Sequence, residues 1–337
     1  MRRHWKKWTI AAACLAAFLL IASHLDATAF VDAPVYRALS GLYSPFATGF
    51  FKACTGLVSP LVLLVIALVV VARIPRRELR VPVLLNLCVA VLLNLGLKHV
   101  FSRPRPVDVI HIITETGSSF PSGHTMAAAC FYGFLIWIVW DICRSRAVRA
   151  ALTAFLCALI ALVAASRVYL GVHYFTDVLG GLLISAVYLT VFTTMVRRFF
   201  EHAEAPHPWG LQPNDRNRLL FSFIYAFEGV LGGFRSERNM VIHFAAMATV
   251  VVFGALLGLS AMEWVACVSL FGLVMMAELM NTAVETVVDI LCPQYDPRAK
   301  LAKDTAAGAV LLAAMASAIA GLIIFVPKIL DLLMNEL

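Results

Sequence analysis

Charged residues are scarce in this chain. Only 14% of its 337 residues are Asp, Glu, Lys or Arg, whereas 61% are hydrophobic, and the mean hydropathy is +0.87. A soluble globular domain carries about 25% charged residues. The composition therefore excludes an ordinary soluble protein and predicts an integral membrane protein.

Two common site motifs are also missing. The eight cysteines form no Cys-x-x-Cys pair and most lie in apolar segments, which favours small buried residues over disulfides or metal ligands. The chain has no Gly-x4-Gly-Lys-[Ser/Thr] sequence, so a P-loop is excluded. If the chain binds a nucleotide, other residues must hold it.

Apolar runs that could form helical membrane spans recur along the chain. They lie near 9–23, 53–72, 81–97, 125–140, 150–165, 178–196, 239–259, 263–284 and 305–327. The first run could also be a cleaved signal peptide, but the charge pattern stays consistent if it is kept, so we predict a retained span. The predicted fold class is therefore an all-α membrane protein with nine spans.

Basic residues are concentrated on one side of these spans. If the N-terminus is cytoplasmic, most of the 27 Lys and Arg residues fall inside, in the clusters 2–7, 73–80, 144–149, 197–238 and 298–303. This asymmetry follows the positive-inside rule and sets the predicted topology. The net charge of +7 then reflects topology, and no nucleic-acid partner is expected.

The composition changes at 197–218, where prolines, histidines and mixed charges interrupt the apolar runs. We predict a cytoplasmic linker over 199–214. A domain of six spans precedes it over 1–198, and a domain of three spans follows it over 215–337. The first half is expected to be one helical bundle and the second half another.

The first domain carries cations and a turn that suit a phosphate ester. Lys98, Arg105 and Arg167 lie at the ends of apolar runs and can neutralise phosphate oxygens, which arginine binds in a bidentate fashion. Ser122 and Gly123 precede a predicted helix, whose first N–H groups favour an anion, and glycine lets the main chain come close. These five residues are the predicted phosphate contacts.

Two histidines and one carboxylate complete this set. His173 and Asp177 are four residues apart, so on a helical turn they share a face, and Asp177 can orient the imidazole of His173 as a nucleophile. His124 directly follows Ser122 and Gly123 in the chain and adds a second imidazole to the set. For His99 and Arg103, a place in the site and a plain interfacial position are both open.

In chain order these residues match Lys-x6-Arg-Pro, Pro-Ser-Gly-His and Ser-Arg-x5-His-x3-Asp without a substitution, and 1–198 resembles the type-2 phosphatidic acid phosphatase family. The resemblance implies that His173 attacks phosphorus to form a phosphohistidine. It implies that His124 protonates the leaving oxygen and then activates water. No cofactor is expected in this domain, and the predicted topology puts its three motifs on the extracytoplasmic face.

The second domain carries a stripe of polar residues in an apolar run. Glu278, Asn281, Glu285 and Asp289 are spaced three, four and four apart, which puts them on one helical face. A carboxylate at the centre of a membrane helix costs about 2.5 kcal/mol or more. Such a stripe could join helices, but three acids favour a cation, and we predict Mg²⁺ with a nucleotide.

This stripe, followed by Ala302-Lys303-Asp304, matches Glu-x-x-Asn-[Ser/Thr]-Ala-[Ile/Val]-Glu-x-x-Val-Asp and Ala-Lys-Asp, and 215–330 resembles the prokaryotic diacylglycerol kinase family, which includes undecaprenol kinases. The family binds ATP without a P-loop. The resemblance implies that Glu278 is the base for a lipid hydroxyl. It implies Mg²⁺ ligands at Glu237 and Glu285, and nucleotide contacts at Asn281, Asp289, Lys303 and Asp304.

The resemblance also implies an interfacial helix over 214–234, where Arg and aromatic residues alternate, and a homotrimer. The leading hypothesis is a bifunctional enzyme of a bacterial inner (plasma) membrane. It would convert undecaprenyl diphosphate to undecaprenyl phosphate at the outer face and phosphorylate undecaprenol with ATP at the cytoplasmic face. The alternative is a phosphatidate or phosphatidylglycerophosphate phosphatase joined to a diacylglycerol kinase. A transporter would require inverted repeats, and none is seen.

Overall fold

The computed structural model describes residues 2–198, 225–226, 228–230, 232–233 and 238–335. Within these ranges the secondary structure is helical, as predicted. The predicted linker, most of the predicted interfacial helix and Glu237 lie outside them. The chain divides into two compact units, Met1–Ala72 with Leu85–Arg197, and Arg73–Leu84 with Arg198–Leu337.

Eight helices precede residue 198. They are α1 (Arg2–Ser23), α2 (Ala29–Ser40), α3 (Pro45–Gly56), α4 (Pro60–Arg73), α5 (Arg80–Phe101), α6 (Gly123–Ile142), α7 (Arg146–Tyr169) and α8 (Phe175–Val196). In the first unit, α6 packs against α7 and α8, and α8 packs against α1. The longest connection runs from α5 to α6 and lies beside the starts of α6 and α8.

Local residues explain where several of these helices begin and end. The Ser44 hydroxyl accepts from the N–H of Ala47 at 3.1 Å, and Pro45 occupies the first turn of α3, where its missing N–H costs nothing. Helix α5 ends at Phe101, because Ser102 adopts a positive φ of 43°. The chain therefore leaves α5 abruptly.

Nine candidate spans are consistent with the prediction, if one bent pair is taken as a single span. Eight helices of the described ranges are long and apolar enough to cross a membrane, and α3 and α4 pass the same test together with a bend of 54°. The predicted continuous span over 53–72 is therefore broken, at Gly56 and before Pro60. The short helix α2 was not predicted, because twelve residues with an internal proline make no long apolar run.

The second unit contains α9 (Arg238–Leu256), α10 (Ala261–Leu291) and α11 (Pro297–Asn335). Ser260 and Glu263 form a reciprocal cap at the start of α10, with the N–H of Ser260 donating to Glu263 Oε2 at 2.6 Å. Helix α10 packs along α11 and also touches α9. The predicted polar stripe lies on α10. Its first two residues, Glu278 and Asn281, are buried, and its last residue, Asp289, is exposed.

Candidate functional site

The three motifs of the first unit meet at one end of the helix bundle. His124 is in the first turn of α6, Arg167 is in the last turn of α7, and His173 lies in the turn between α7 and α8. Gly171 holds that turn with a φ of 76°, and a Cβ there would collide with the carbonyl oxygen of Ile110. The α5–α6 connection therefore packs directly on the turn that carries His173.

His173 and Asp177 form a fully buried pair. The imidazole Nδ1 lies 3.4 Å from Asp177 Oδ2 and 3.3 Å from the Ser119 hydroxyl oxygen. Asp177 also accepts the N–H of Tyr174 at 2.9 Å and the hydroxyl of Ser119. Burial lowers the pKa of His173, although the bond to Asp177 partly raises it. The arrangement favours a neutral imidazole with Nδ1 protonated, which leaves Nε2 as a nucleophile.

A carboxylate that the sequence did not identify lies in the middle of this site. Glu115 forms an ion pair with Arg167, and its Oε2 lies 3.2 Å from Arg105 Nη2. His124 Nδ1 is 3.8 Å from Oε1, and His173 Nε2 is 3.9 Å from Oε2. Burial alone would raise the pKa of Glu115, but Arg167 and the two imidazoles lower it to about 2. Glu115 is therefore an anion among the residues predicted to bind phosphate.

The two arginines of the site are held in place by neutral groups as well. Arg105 donates to three backbone carbonyls, those of Thr116 at 2.9 Å, Gly117 at 3.2 Å and Val172 at 2.8 Å. Arg167 is fully buried and donates to the Thr55 hydroxyl at 2.5 Å. Both guanidinium groups are thus oriented before any phosphate arrives.

Arg103 lies beside the site, where it contacts Asp177 and lines the same cleft as Lys98. Its side chain is 8% exposed and forms ion pairs with Asp177 at 2.6 Å and with Asp32 of α2 at 3.3 Å. It also donates to the hydroxyls of Thr28 at 2.9 Å and Thr176 at 3.0 Å. Arg103 therefore supports Asp177 through Oδ1, whereas His173 faces Oδ2.

Three predicted phosphate contacts lie at the edge of this cluster. Lys98 and the exposed His99 line an adjoining cleft of about 600 Å³. The Ser122 hydroxyl accepts from Thr125 at 3.0 Å, and its N–H donates to the Asp177 carbonyl at 3.1 Å. A Cβ on Gly123 would lie 2.9 Å from Asn94 Oδ1, so glycine also allows α5 and α6 to approach there.

In the second unit, Glu278 is buried without a hydrogen-bond partner among the described residues. Its side chain is 1% exposed, and neither carboxylate oxygen has a hydrogen-bond partner among the described residues. The closest cationic candidate is His243, whose Nε2 lies 3.9 Å from Glu278 Oε2. An uncompensated buried carboxylate is costly, and such residues in membrane helices usually serve a function.

The rest of the polar stripe is partly paired. Asn281 donates its amide to Glu285 at 3.1 Å, while its carbonyl oxygen has no partner in the part of the chain that the structure describes. Asp289 pairs with Lys303 of α11 at 2.8 Å. Asp304 pairs with Lys300 one turn away. Helices α10 and α11 also border a mostly apolar groove of about 1060 Å³.

Oxygen donors with spare lone pairs suit Mg²⁺, and Glu278 and Asn281 both have them. The predicted ligand Glu285 is one turn away, whereas Glu237 is outside the described residues. Within the ranges that the structure covers, no group of three or more His, Cys, Asp or Glu residues could hold a metal ion. The chemistry of the donors fits Mg²⁺, and the described residues would supply part of such a site.

Comparison with known proteins gives two separate matches. The family model "Prokaryotic diacylglycerol kinase" matches residues 224–325, and the model "PAP2 superfamily" matches residues 80–201. An undecaprenol kinase of Bacillus subtilis is 44% identical over 116 residues, which cover 34% of this chain and 94% of that protein. A diacylglycerol kinase of Synechocystis sp. is 44% identical over 126 residues, which cover 37% of this chain and 70% of that protein.

A solved structure matches the first part of the chain. The crystal structure of a transmembrane PAP2 type phosphatidylglycerolphosphate phosphatase from Bacillus subtilis superposes with a TM-score of 0.52 and 27% identity, covering 58% of this chain and 98% of that one. The two matches indicate a membrane enzyme with a lipid phosphatase domain and an ATP-dependent lipid kinase domain. The chain therefore belongs to the prokaryotic diacylglycerol kinase family through residues 224–325, fused to a PAP2 superfamily domain at residues 80–201.

Proposed function

We propose that this protein supplies undecaprenyl phosphate by two routes. The phosphatase domain would hydrolyse undecaprenyl diphosphate, and the kinase domain would phosphorylate undecaprenol with ATP. The observation that carries the proposal is the presence, on one chain, of a complete phosphatase motif set and a kinase domain 44% identical to an undecaprenol kinase. Phosphatidate and diacylglycerol would instead be interconverted with net consumption of ATP and no net lipid product, whereas both undecaprenyl reactions end in the same lipid.

In the proposed phosphatase reaction, His173 Nε2 attacks the terminal phosphorus while Asp177 holds the Nδ1 proton. Arg105 and Arg167 bind the phosphate oxygens, with Lys98, Ser122 and Gly123 at the edge of the same site. The bond from this phosphorus to the bridging oxygen breaks, and undecaprenyl phosphate leaves as His124 gives its proton to that oxygen. Water then attacks the phosphohistidine with His124 as base, which releases inorganic phosphate and restores His173.

In the proposed kinase reaction, Glu278 takes the proton of the lipid hydroxyl, and the resulting oxygen attacks the γ-phosphorus of ATP as ADP leaves. Glu285, which is half-buried and oriented by the Asn281 amide, would hold Mg²⁺ together with Glu237. When bound, Mg²⁺ neutralises phosphate charge. The ion pair of Asp289 with Lys303, and the neighbouring Asp304, would orient the nucleotide.

The proposed setting is the plasma membrane of a bacterium, with a cytoplasmic N-terminus and the linker 199–214 between domains 1–198 and 215–337. The basic clusters support this topology, which puts the phosphatase site outside and the kinase site inside, where ATP is available. Kinases of this family suggest a homotrimer. The two sites would then act on separate pools of lipid.

The alternative is phospholipid turnover, because a phosphatidylglycerolphosphate phosphatase and a diacylglycerol kinase are among the similar proteins. Purified Glu278→Ala protein, offered undecaprenyl diphosphate or phosphatidylglycerophosphate in mixed micelles, separates the two hypotheses for the phosphatase. We expect a higher kcat/KM for undecaprenyl diphosphate. His24→Ala, an exposed histidine at the same end of the bundle, is the matched control for His173→Ala, which should release no phosphate.

A further inference from the structure

Glu115 occupies the position that the proposed function assigns to the substrate phosphate. Its two oxygens contact Arg105 and Arg167, and both candidate catalytic imidazoles lie within 3.9 Å of them. A phosphate in line with His173 Nε2 needs these same donors. Substrate and Glu115 therefore compete for one site.

The connection that carries Glu115 is held from several directions. The N–H of Ile112 donates to the Leu170 carbonyl at 3.1 Å, and the N–H of Ile110 donates to the Tyr36 hydroxyl at 2.8 Å. Arg105 binds the carbonyl of Thr116, the residue after Glu115. The carboxylate is thus presented by a fixed backbone, and its side chain is 23% exposed to solvent.

Charge decides which lipids can displace this carboxylate. A phosphodiester carries one negative charge, so exchanging it for ionised Glu115 leaves the charge of the site unchanged. A phosphomonoester carries about 1.5 to 2 negative charges at neutral pH, and a terminal diphosphate carries at least as many. Only these substrates add charge beside Arg105 and Arg167. The site lies at the ends of membrane spans, where phosphodiester lipids are concentrated.

We propose that Glu115 is a specificity-determining residue, which excludes phosphodiester phospholipids from the phosphatase site and admits lipids with a terminal phosphomonoester or diphosphate. This inference rests on the proposed phosphatase function, because it assumes that the cluster around His173 binds substrate phosphate. In the free enzyme, the Glu115 carboxylate occupies the phosphate site and blocks it. Glu115 takes no part in bond making.

The test compares full-length Glu115→Gln protein with wild type and with Asp108→Asn, which removes one carboxylate from an exposed position of the same connection. Two probes are used. Binding of inorganic phosphate is measured by the shift that it causes in the thermal unfolding temperature, and phosphatidylglycerol is tested as a competitor of lipid hydrolysis. Losing one competing charge-assisted contact should tighten phosphate binding by about 10- to 100-fold. Phosphatidylglycerol should become a competitive inhibitor of Glu115→Gln alone.

Unchanged or weaker phosphate binding by Glu115→Gln, or equal inhibition of all three proteins by phosphatidylglycerol, would overturn the proposal. A cooperative thermal unfolding transition in the absence of phosphate reports that a variant is folded. If Glu115→Gln does not fold, Glu115→Asp keeps the charge but withdraws it by one methylene, and it should bind phosphate more tightly than wild type. The thermal measurement needs no turnover, so it distinguishes failure of the charge filter from failure of the proposed hydrolysis.

Discussion

Replacing Arg103 by alanine should affect stability and phosphatase activity together. Arg103 is the buried cation between Asp177, at 2.6 Å, and Asp32, at 3.3 Å. The substitution leaves both carboxylates in place without their counter-charge, and Thr28 and Thr176 lose a donor. Asp177 keeps its bonds from Ser119 and from the N–H of Tyr174. The His173–Asp177 pair should therefore form, but with a looser geometry.

The structure sets the scale of the effect. Removing one partner of a buried ion pair typically costs about 3–5 kcal/mol, because an uncompensated charge stays behind. We expect the free energy of unfolding of the first unit to fall by about that amount. A displacement of the nucleophile by ~1 Å can cost two orders of magnitude in rate, so the phosphatase kcat should fall by about 10- to 100-fold.

The assay is denaturant unfolding of the full-length protein in detergent, combined with phosphatase and kinase turnover of the same sample. Kinase turnover is the internal control, since its candidate residues lie in the other unit. Arg37→Ala, at an exposed position of α2, is the matched control and should change neither activity. If Arg103→Ala unfolded within about 0.5 kcal/mol of wild type and kept its phosphatase rate, the support of Asp177 by Arg103 would be refuted.

Three further predictions concern single residues. The pKa of Glu115 is lowered from 4.5 to about 2, so its stabilising contribution is present above pH 4.5 and is lost as the pH falls towards 2. The free energies of unfolding of wild type and Glu115→Gln should therefore converge between pH 4.5 and 2. A constant difference between them over that window would contradict this. Glu278→Gln should abolish kinase turnover. It should also raise the free energy of unfolding by about 1–3 kcal/mol, because neither carboxylate oxygen has a hydrogen-bond partner among the described residues. A destabilised variant would refute this. Gly171→Ala should reduce phosphatase activity and spare kinase activity, because alanine is strained at a φ of 76° and its Cβ meets the Ile110 carbonyl; wild-type phosphatase kinetics would disprove the reasoning.

Much of the helical architecture could be predicted because apolar runs and helix lengths follow the same physical requirement, the thickness of a bilayer. Helix α2 escaped prediction because its twelve residues make no long apolar run, and the contact of its buried Asp32 with Arg103 and Thr176 has no signal in the sequence. The bend between α3 and α4 was missed for a related reason. Hydropathy is averaged over a window, and the average passes over the turn before Pro60.

The phosphatase motif residues were predicted from their spacing, and the structure brings most of them together. Arg103, Ser119 and Glu115 were not assigned, because they act through contacts between distant segments of an irregular connection without periodicity. One signal was available for Glu115. A carboxylate in a chain with 14% charged residues, on the face that bears the motif cations, has few reasons to be there other than those cations.

In the second unit, helical spacing predicted a common face for the polar stripe, and the burial of Glu278 and Asn281 agrees with it. The spacing could not predict that Asp304 pairs with Lys300, since that choice depends on rotamers at the exposed start of α11. Glu237 lies outside the described residues, so its place among the metal ligands stays a prediction.

The most direct test of the account is phosphoryl transfer from labelled ATP by purified full-length His173→Ala protein in mixed micelles. The substitution prevents the phosphatase domain from removing the product. Undecaprenol and diacylglycerol are offered at equal mole fractions, and the labelled lipid is quantified. The account predicts a clear preference for undecaprenol, with labelled undecaprenyl phosphate as the product. A preference for diacylglycerol would contradict it and would assign the protein to phospholipid turnover.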